Sequence, residues 1–480
     1  MGNTNHPANC HVLHEQEFLS NQCLHFDRDL YIHQIFVHLS FQELFKCRQV
    51  SRCWNYMVLQ VRNVHVIISD TKQIDSFEKV MKKGIFHNVA HLSTPKLCIK
   101  YLGKYMRNLE SIHVVKRLEP NATILQCQCL EGLDNLKEIV FKGSQVVNAK
   151  LMRNCKSLKR IEIRYLKNNE FWENIVSPLE EFVIFNVKMG FNSWKVLVCN
   201  IKKSLKVLKI GKCTFTKLEY DEMSEFQNLE SLTLTQMSEV TDECFKFFSN
   251  LKYLKSLKIQ SCNLSSEACY HLNSLKKLTK LDMSDNIIDQ LSFINGMKEI
   301  RSLKLMDNRL GNEGCLFVSA LPSITKLFLT GNEISNEGLL HISQMTNLTD
   351  LDLGNNKITS IELITENLTK LQKLGIYVNR ISSADVSKLV DLRELNFSHN
   401  KLTSLKGLNN LKHLQNLFLY GNKLATKLFT SESHFPKLEY LEVQSMDNIN
   451  LKILTKERFP KLIRITEDKY DLRNEQLDQN

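Results

Sequence analysis

Between Leu109 and Val443 one pattern, in its fullest form L-x-x-L-x-L-x-x-N-x-L, returns fifteen times, its first apolar residue recurring every 21 to 27 positions. No other feature of the 480-residue chain constrains the fold as much. A single unit of this kind cannot bury its own apolar face and must stack on its neighbours. The cleanest units are LTKLDMSDNII from Leu278, IRSLKLMDNRL from Ile300, ITKLFLTGNEI from Ile324 and LTDLDLGNNKI from Leu348. LQKLGIYVNRI from Leu371, LRELNFSHNKL from Leu392 and LQNLFLYGNKL from Leu414 continue them. Upstream the pattern loosens, from LESIHVV at Leu109 to LKSLKIQSCNL at Leu254; LEYLEVQ at Leu438 and a degenerate LIRI at Leu462 close it.

Within each unit the two apolar residues of L-x-L point into the stack and the residues between them point out. Asn286, Asn308, Asn332, Asn356, Asn379, Asn400 and Asn422 fall where each strand turns into its return loop. There an amide side chain can satisfy loop backbone groups that are otherwise buried unpaired. The pattern resembles the leucine-rich-repeat superfamily over about three quarters of the chain. That resemblance implies an α/β leucine-rich-repeat solenoid, a curved horseshoe with a parallel sheet on its concave face. Cys213 and Cys262 take the Asn place upstream, a variation the superfamily allows. Returns in units of 24 residues or more, such as DECFKFFSN and NEGLLHISQM, have room for a helical turn or two; units of 21 or 22 residues need a tighter, partly extended return. Sixteen rungs at roughly 5 Å per strand predict a solenoid about 75 Å long.

Composition bears on compartment and chemistry. All fourteen Cys lie at or before Cys315, and several occupy ladder or turn positions where a thiol packs as a small hydrophobe. No apolar signal run opens the chain and no stretch approaches a membrane span. Clustered disulfide caps are absent too, so the expected location is intracellular, cytoplasmic or nuclear. Cys127 and Cys129 form a C-x-C without a second ligand pair, and neither a metal nor a cofactor is expected. Position 6, where a Met-Gly-Asn myristoylation start needs Ser or Thr, is His6.

From Asp27 to Val58 the chain reads DRDLYIHQIFVHLSFQELFKCRQVSRCWNYMV. Leu30, Ile32, Ile35, Phe36 and Leu39 fall on a helical period, and Leu44, Phe45, Val50, Trp54, Met57 and Val58 form a second set beyond a cap and turn at Ser40-Phe41. Ile35-Phe36, His38-Leu39-Ser40, Glu43-Leu44 and above all Cys47-Arg48-Gln49-Val50-Ser51-Arg52-Cys53-Trp54 make this stretch resemble an F-box. The family usually opens with Leu-Pro, where this chain has Phe26-Asp27 or Asp27-Arg28. The resemblance implies docking on a Skp-type adaptor within a cullin-RING ubiquitin ligase. Leu30, Ile35, Phe36, Leu39, Leu44 and Val50 would be the contact and core set, with Trp54 anchoring the last helix.

The expected layout is a disordered tail over 1–25, an F-box-like helical module over 26–60 and irregular first repeats or a cap over 61–108. Leucine-rich repeats follow over 109–465 and a tail over 466–480. VRNVHVII from Val61 reads as an early strand, with one irregular unit expected around Leu97 to Leu102. Outward strand positions begin basic, with Lys142, Arg160, Arg164, Lys209, Lys212 and Lys258 broken by Glu138, Glu162 and Glu181. They turn acidic at Asp282, Asp285, Asp307, Asp350 and Asp352, and then carry Phe328, Tyr377, Phe418, Tyr420 and Tyr440. Rings on a rigid concave surface suit protein recognition, and these five are the expected target-binding set.

The formal charge of +11 is spread along the chain without a basic run, which argues against nucleic acid as partner. No phosphate-binding loop, H-E-x-x-H, G-x-S-x-G or kinase set occurs, so an enzyme is not expected. Two classes of function stay open. One is a substrate adaptor of an SCF-type ligase, with an unidentified target protein on the repeats. The other is a leucine-rich-repeat scaffold outside any ligase, its N-terminal helices serving as a cap.

Overall fold

The computed structural model describes residues 64–67, 89–94, 102, 106–115, 124–143, 145–167, 171–237, 240–424, 428–429, 433–443 and 455–466. The F-box-like module, with Leu30, Ile35, Phe36, Leu39, Leu44, Val50 and Trp54, lies outside the described residues, as do residues 1–25 and 467–480. The chain divides into two compact units, Met1–Thr214 and Phe215–Asn480.

In the first unit the ladder begins earlier than Leu109. Val64–Ile67 pairs in parallel with Val89–Thr94, and that strand pairs with Ser111–Val115. The irregular unit expected around Leu97 to Leu102 thus has its strand at Val89–Thr94 instead. Its core contacts come from Val89, Ala90, Leu92 and Thr94, a weaker apolar signal than a leucine pair, yet all four are buried and Leu92 falls in register with Ile112. Glu138–Lys142, Arg160–Arg164, Glu181–Phe185 and Val207–Gly211 continue the sheet in parallel. Ile112, Ile139, Ile161, Phe182 and Leu208 stack in one row, and Val114, Phe141, Ile163, Ile184 and Ile210 in the next. Behind them Trp172 meets Phe171 and Phe182 edge-on, with centroids 5.1 and 6.1 Å apart. The return helix Phe191–Ile201 turns Trp194, Leu197, Val198 and Ile201 inward at helical spacing.

The second unit repeats the plan more strictly. Leu232, Leu257, Leu281, Leu303, Leu327, Leu351, Leu374, Leu395, Leu417 and Leu441 are the second residues of successive parallel strands and stand in register, each at most 1 % exposed. Burying one leucine so fully stabilises the stack by about 1.5–3 kcal/mol before entropy is set against it. Return structure follows return length only in part: the 22-residue unit from Leu278 turns through a 3-10 helix at Ser292–Gly296, and the 27-residue unit from Leu109 includes an extended strand at Ile124–Gln126. DECFKFFSN forms a 3-10 helix over Asp242–Asn250, and Asn336–Ile342 forms an α-helix that packs against Gly311–Ser319. The short units that start at Leu371 and Leu392 return through strands Ser383–Asp385 and Ser404–Lys406, which pair in parallel as a separate two-stranded sheet.

Twelve of the described ladder strands leave the sheet through one residue of left-handed conformation. These are Tyr165, Asn186 and Lys212 in the first unit. In the second they are Gln236, Ser261, Asp285, Asp307, Gly331, Asn355, Val378, His399 and Gly421, and all twelve φ values lie between 49° and 71°. From Asp285 onward the ladder asparagine follows directly, and its amide closes the loop. Asn356 Nδ2 donates to the carbonyls of Leu329, Leu353 and Gly354 at 2.9–3.0 Å, while its Oδ1 accepts the N–H groups of Asn332 and Ile334 at 3.1 and 2.9 Å. Asn308, Asn379, Asn400 and Asn422 repeat the arrangement, each capping a loop N–H of the preceding unit. Upstream, Cys262 Sγ makes weaker contacts with the carbonyls of Leu234 and Gln260 at 3.6 and 3.2 Å.

Candidate protein-recognition face

Outward residues of the first unit do not form a free basic lining. The Arg160 guanidinium bonds Glu138, reaches Glu162 at 2.7 Å and Glu181 at 3.2 Å. Arg164 bonds Glu162 at 2.8 Å, and Lys209 bonds Glu181 at 2.8 Å. Glu138 and Glu181 stand in register with Arg160 on the neighbouring strands, Glu162 lies between the two arginines on their own strand, and Lys209 reaches Glu181 diagonally, so charges that read in sequence as a basic run with interruptions neutralise each other on the sheet. Burial pushes the Glu162 carboxyl up, but hydrogen bonds from Arg160 and Arg164 outweigh it and hold the group below the usual carboxylate range. Arg164 and Lys212 also sit 5.5 and 5.8 Å from the centre of the Phe185 ring, an outward aromatic the sequence reading passed over.

In the second unit the acidic residues divide by partner. Asp282 takes Lys258 at 3.0 Å, Asp350 takes Lys326 at 3.3 Å, and Asp285 accepts the Gln260 amide at 2.7 Å. Asp352 has hydroxyl and backbone donors only. Its Oδ1 accepts the Thr330 hydroxyl at 2.8 Å and the Gly354 N–H at 2.9 Å. Burial raises its carboxyl above the ordinary value, against the pull of those two bonds. Burial likewise raises Asp307, and the neighbouring Asp285 adds to the effect.

All five predicted target-binding rings are half-buried on outward positions, and their contacts sort them into groups. Phe418 and Tyr440 pack at 5.1 Å, with Arg464 5.5 Å from the Tyr440 ring, and Tyr420 meets His399 edge-on at 5.1 Å. Phe328 lies under the Lys304 ammonium, 5.0 Å from its centroid. Tyr377 is placed differently. Its ring leans back one strand across Gly354, where any side chain would collide with it, and its hydroxyl meets Thr330 Oγ1 at 3.4 Å. Burial raises the Tyr377 phenol, and the charges of Asp352 and Asp307 add to that. Lys304, Thr330, Gly354 and Gly375 complete the surroundings and were not singled out by sequence. Glycine at two outward positions of adjacent units is the signal that could have found the place.

The remaining chemistry is sparse. Cys127, Cys129 and Cys155 are buried and outside any disulfide, and burial pushes the Cys127 and Cys155 thiols up to about 12, so these two pack as protonated thiols. Among the described residues no group of His, Cys, Asp or Glu gathers as a metal site, and no helix is long and apolar enough to cross a membrane.

Comparison with known proteins fits these observations. The family model for the F-box domain matches residues 32–65, and models for leucine-rich repeats match 299–319, 320–343, 346–389 and 390–431. No curated protein matches the chain in sequence. In fold it is similar to a leucine-rich-repeat protein of Leptospira interrogans, with 20 % identity over 89 % of this chain and 100 % of that one and a TM-score of 0.56. An internalin of Listeria monocytogenes matches at 17 % identity over 65 % and 96 % of the two chains, TM-score 0.46. The likeness to the Leptospira protein is one of fold alone, the leucine-rich-repeat solenoid. With an F-box match ahead of that ladder, the chain combines an F-box with leucine-rich repeats.

Proposed function

We propose that this protein is a substrate-recognition adaptor of an SCF-type cullin-RING ubiquitin ligase, working in the cytoplasm or nucleus. The observation that carries the reading is the F-box match at 32–65, which leads directly into a repeat ladder whose first described strand is Val64–Ile67. An F-box implies a Skp-type adaptor as partner, and Leu30, Ile35, Phe36, Leu39, Leu44, Val50 and Trp54 are the apolar set that would meet it or pack beneath it. The repeats would hold a target protein on their outward strand residues, with Phe328, Tyr377, Phe418, Tyr420 and Tyr440 as contact residues. In this role the chain performs no bond chemistry. Its partners transfer ubiquitin, and it supplies proximity and orientation.

The test is co-expression of the full chain with a Skp-type adaptor, read by size exclusion, beside a variant carrying Ile35→Asp and Leu39→Asp. A complex with the parent and none with a folded variant supports the adaptor reading. A well-folded parent that forms no complex overturns it and leaves a free-standing binding scaffold with an N-terminal helical cap.

A further inference from the structure

One carboxylate on the outward face of the Phe215–Asn480 unit carries more charge than its structural task uses. Three residues at equivalent strand positions do the same local work. Asp282 Oδ1 accepts the Ser284 N–H at 3.2 Å, Asp352 Oδ1 the Gly354 N–H at 2.9 Å and Asn396 Oδ1 the Ser398 N–H at 2.9 Å. Asn396 shows that a neutral amide is enough for this bond. Asp282 spends its charge on Lys258. Asp352 has no cation beside it among the described residues, and the lysines around it are engaged elsewhere. Lys326 pairs with Asp350, Lys373 with Glu394 at 3.0 Å, and Lys304 lies over Phe328.

A glycine and a ring adjoin this charge. Gly375 is the register neighbour of Asp352, and a Cβ there would come within 3.0–3.2 Å of the carboxyl atoms. The other units nearby fill the same position with Lys304, Phe328, Asn396 and Phe418. The row therefore lacks a side chain at this one position, and the Asp352 carboxyl leans over the glycine there, leaving a shallow notch above it. Tyr377 stands two residues beyond Gly375 on the same outward side, its ring held down over Gly354 and its hydroxyl tied to Thr330. Both hydrogen bonds to Asp352 fall on Oδ1, which leaves Oδ2 for an incoming donor. Rings of this unit already take cations at three other places, Lys277 on Tyr253, Lys304 on Phe328 and Arg464 on Tyr440.

We propose that the notch formed by Asp352, Gly375 and Tyr377 receives an arginine side chain of the target protein, the guanidinium donating to Asp352 Oδ2 and lying along the Tyr377 ring. A planar cation satisfies both walls at once, since it donates in its plane and stacks on its face, and it is less strongly hydrated than an ammonium. A carboxylate already withdrawn from water gains more from a fixed cation than an exposed one does. The protein as a whole is basic, with a formal charge of +11, so the attraction for a basic segment is local to this notch. Calling the partner a target rests on the adaptor reading above; the notch itself does not.

The experiment titrates the full chain with acetyl-Gly-Arg-Gly-amide and with its citrulline counterpart, a neutral isostere, and follows peptide signals by saturation-transfer NMR. The expected result is saturable binding of the arginine peptide, about fivefold or more tighter than citrulline, with that preference lost in Asp352→Asn. Equal binding of the two peptides, an arginine preference that survives Asp352→Asn, or no saturable binding of arginine by the folded parent would each overturn the proposal. The peptide comparison on the parent chain needs no variant, so a misfolded variant does not leave the question open. Complex formation with the Skp-type adaptor, measured separately, is expected to be unchanged in Asp352→Asn. Failure of the notch and failure of the adaptor reading are thereby told apart.

Discussion

Replacing Asn356 by alanine is expected to damage the second unit far more than any exposed substitution near it. The side chain is 9 % exposed and makes five hydrogen bonds, three as donor to carbonyls of its own and the preceding unit and two as acceptor from the N–H groups of Asn332 and Ile334. At about 1 kcal/mol net for each bond, and with some carbonyls regaining water, the loss is about 3–5 kcal/mol. The neighbouring Asn355 is exposed with φ 49°, so Asn355→Ala loses no such network and costs about 1–2 kcal/mol through its left-handed backbone alone. Solenoids open regionally, so a urea midpoint is the coarse readout and amide exchange the local one. A 3 kcal/mol loss corresponds to exchange more than about a hundredfold faster at the Asn332 and Ile334 amides, against little change at amides of distant units. If Asn356→Ala proved no more costly than Asn355→Ala, with exchange at Asn332 and Ile334 unaltered, the idea that the amide ladder joins the units would be refuted.

Four further outcomes follow from the same geometry. Val378 is β-branched at φ 52°, and Val378→Asn is expected to raise the urea midpoint by about 1 kcal/mol of stability; an unchanged or lower midpoint counts against strain there. Cys262→Asn should extend the amide ladder upstream and stabilise by about 1 kcal/mol, whereas destabilisation would mean the site has no room for the amide. Glu162 is held below its ordinary pKa, so its contribution is present above the unfolded value of about 4.3 and is lost as pH falls through the folded value. Urea midpoints from neutral to acid pH should accordingly fall less steeply in Glu162→Gln than in the parent. Asp352 has the opposite sign, being raised, so the parent gains stability at this group as pH falls, and Asp352→Asn at neutral pH should not lower the midpoint.

Ladder residues were legible from spacing because each depends on its own unit. The leucine rows and the Asn turns recur at fixed places within one period, and the structure agrees with both, whereas the choice between helical and extended returns follows unit length only in part. What spacing did not convey depends on two units at once. Arg160 looks like part of a basic run until the register sets it between Glu138 and Glu181, and the unequal periods hide that alignment in the linear chain. Tyr377 was recognisable as an outward ring, but its backward lean over Gly354 is a rotamer set by the preceding unit, so the glycine that permits it went unread. The strand at Val89–Thr94 escaped because Ala90 and Thr94 do the work that leucines do elsewhere.

The direction of the amide ladder has a consequence for how the chain is made. Ile288 N–H is capped by Asn308, Leu310 by Asn332, Ile334 by Asn356, Ile358 by Asn379, Ile381 by Asn400 and Leu402 by Asn422. In every case the cap belongs to the unit that follows in sequence. A ribosome delivers the chain from its N-terminus, so each loop emerges before the side chain that completes it. The newest unit stays open for the time needed to synthesise about one more period, roughly a second or a few at the usual rate of elongation. The nascent end is therefore always one unit short of finished, and the growing molecule carries its most vulnerable backbone next to the exit site, where shielding by ribosome or chaperone is closest at hand.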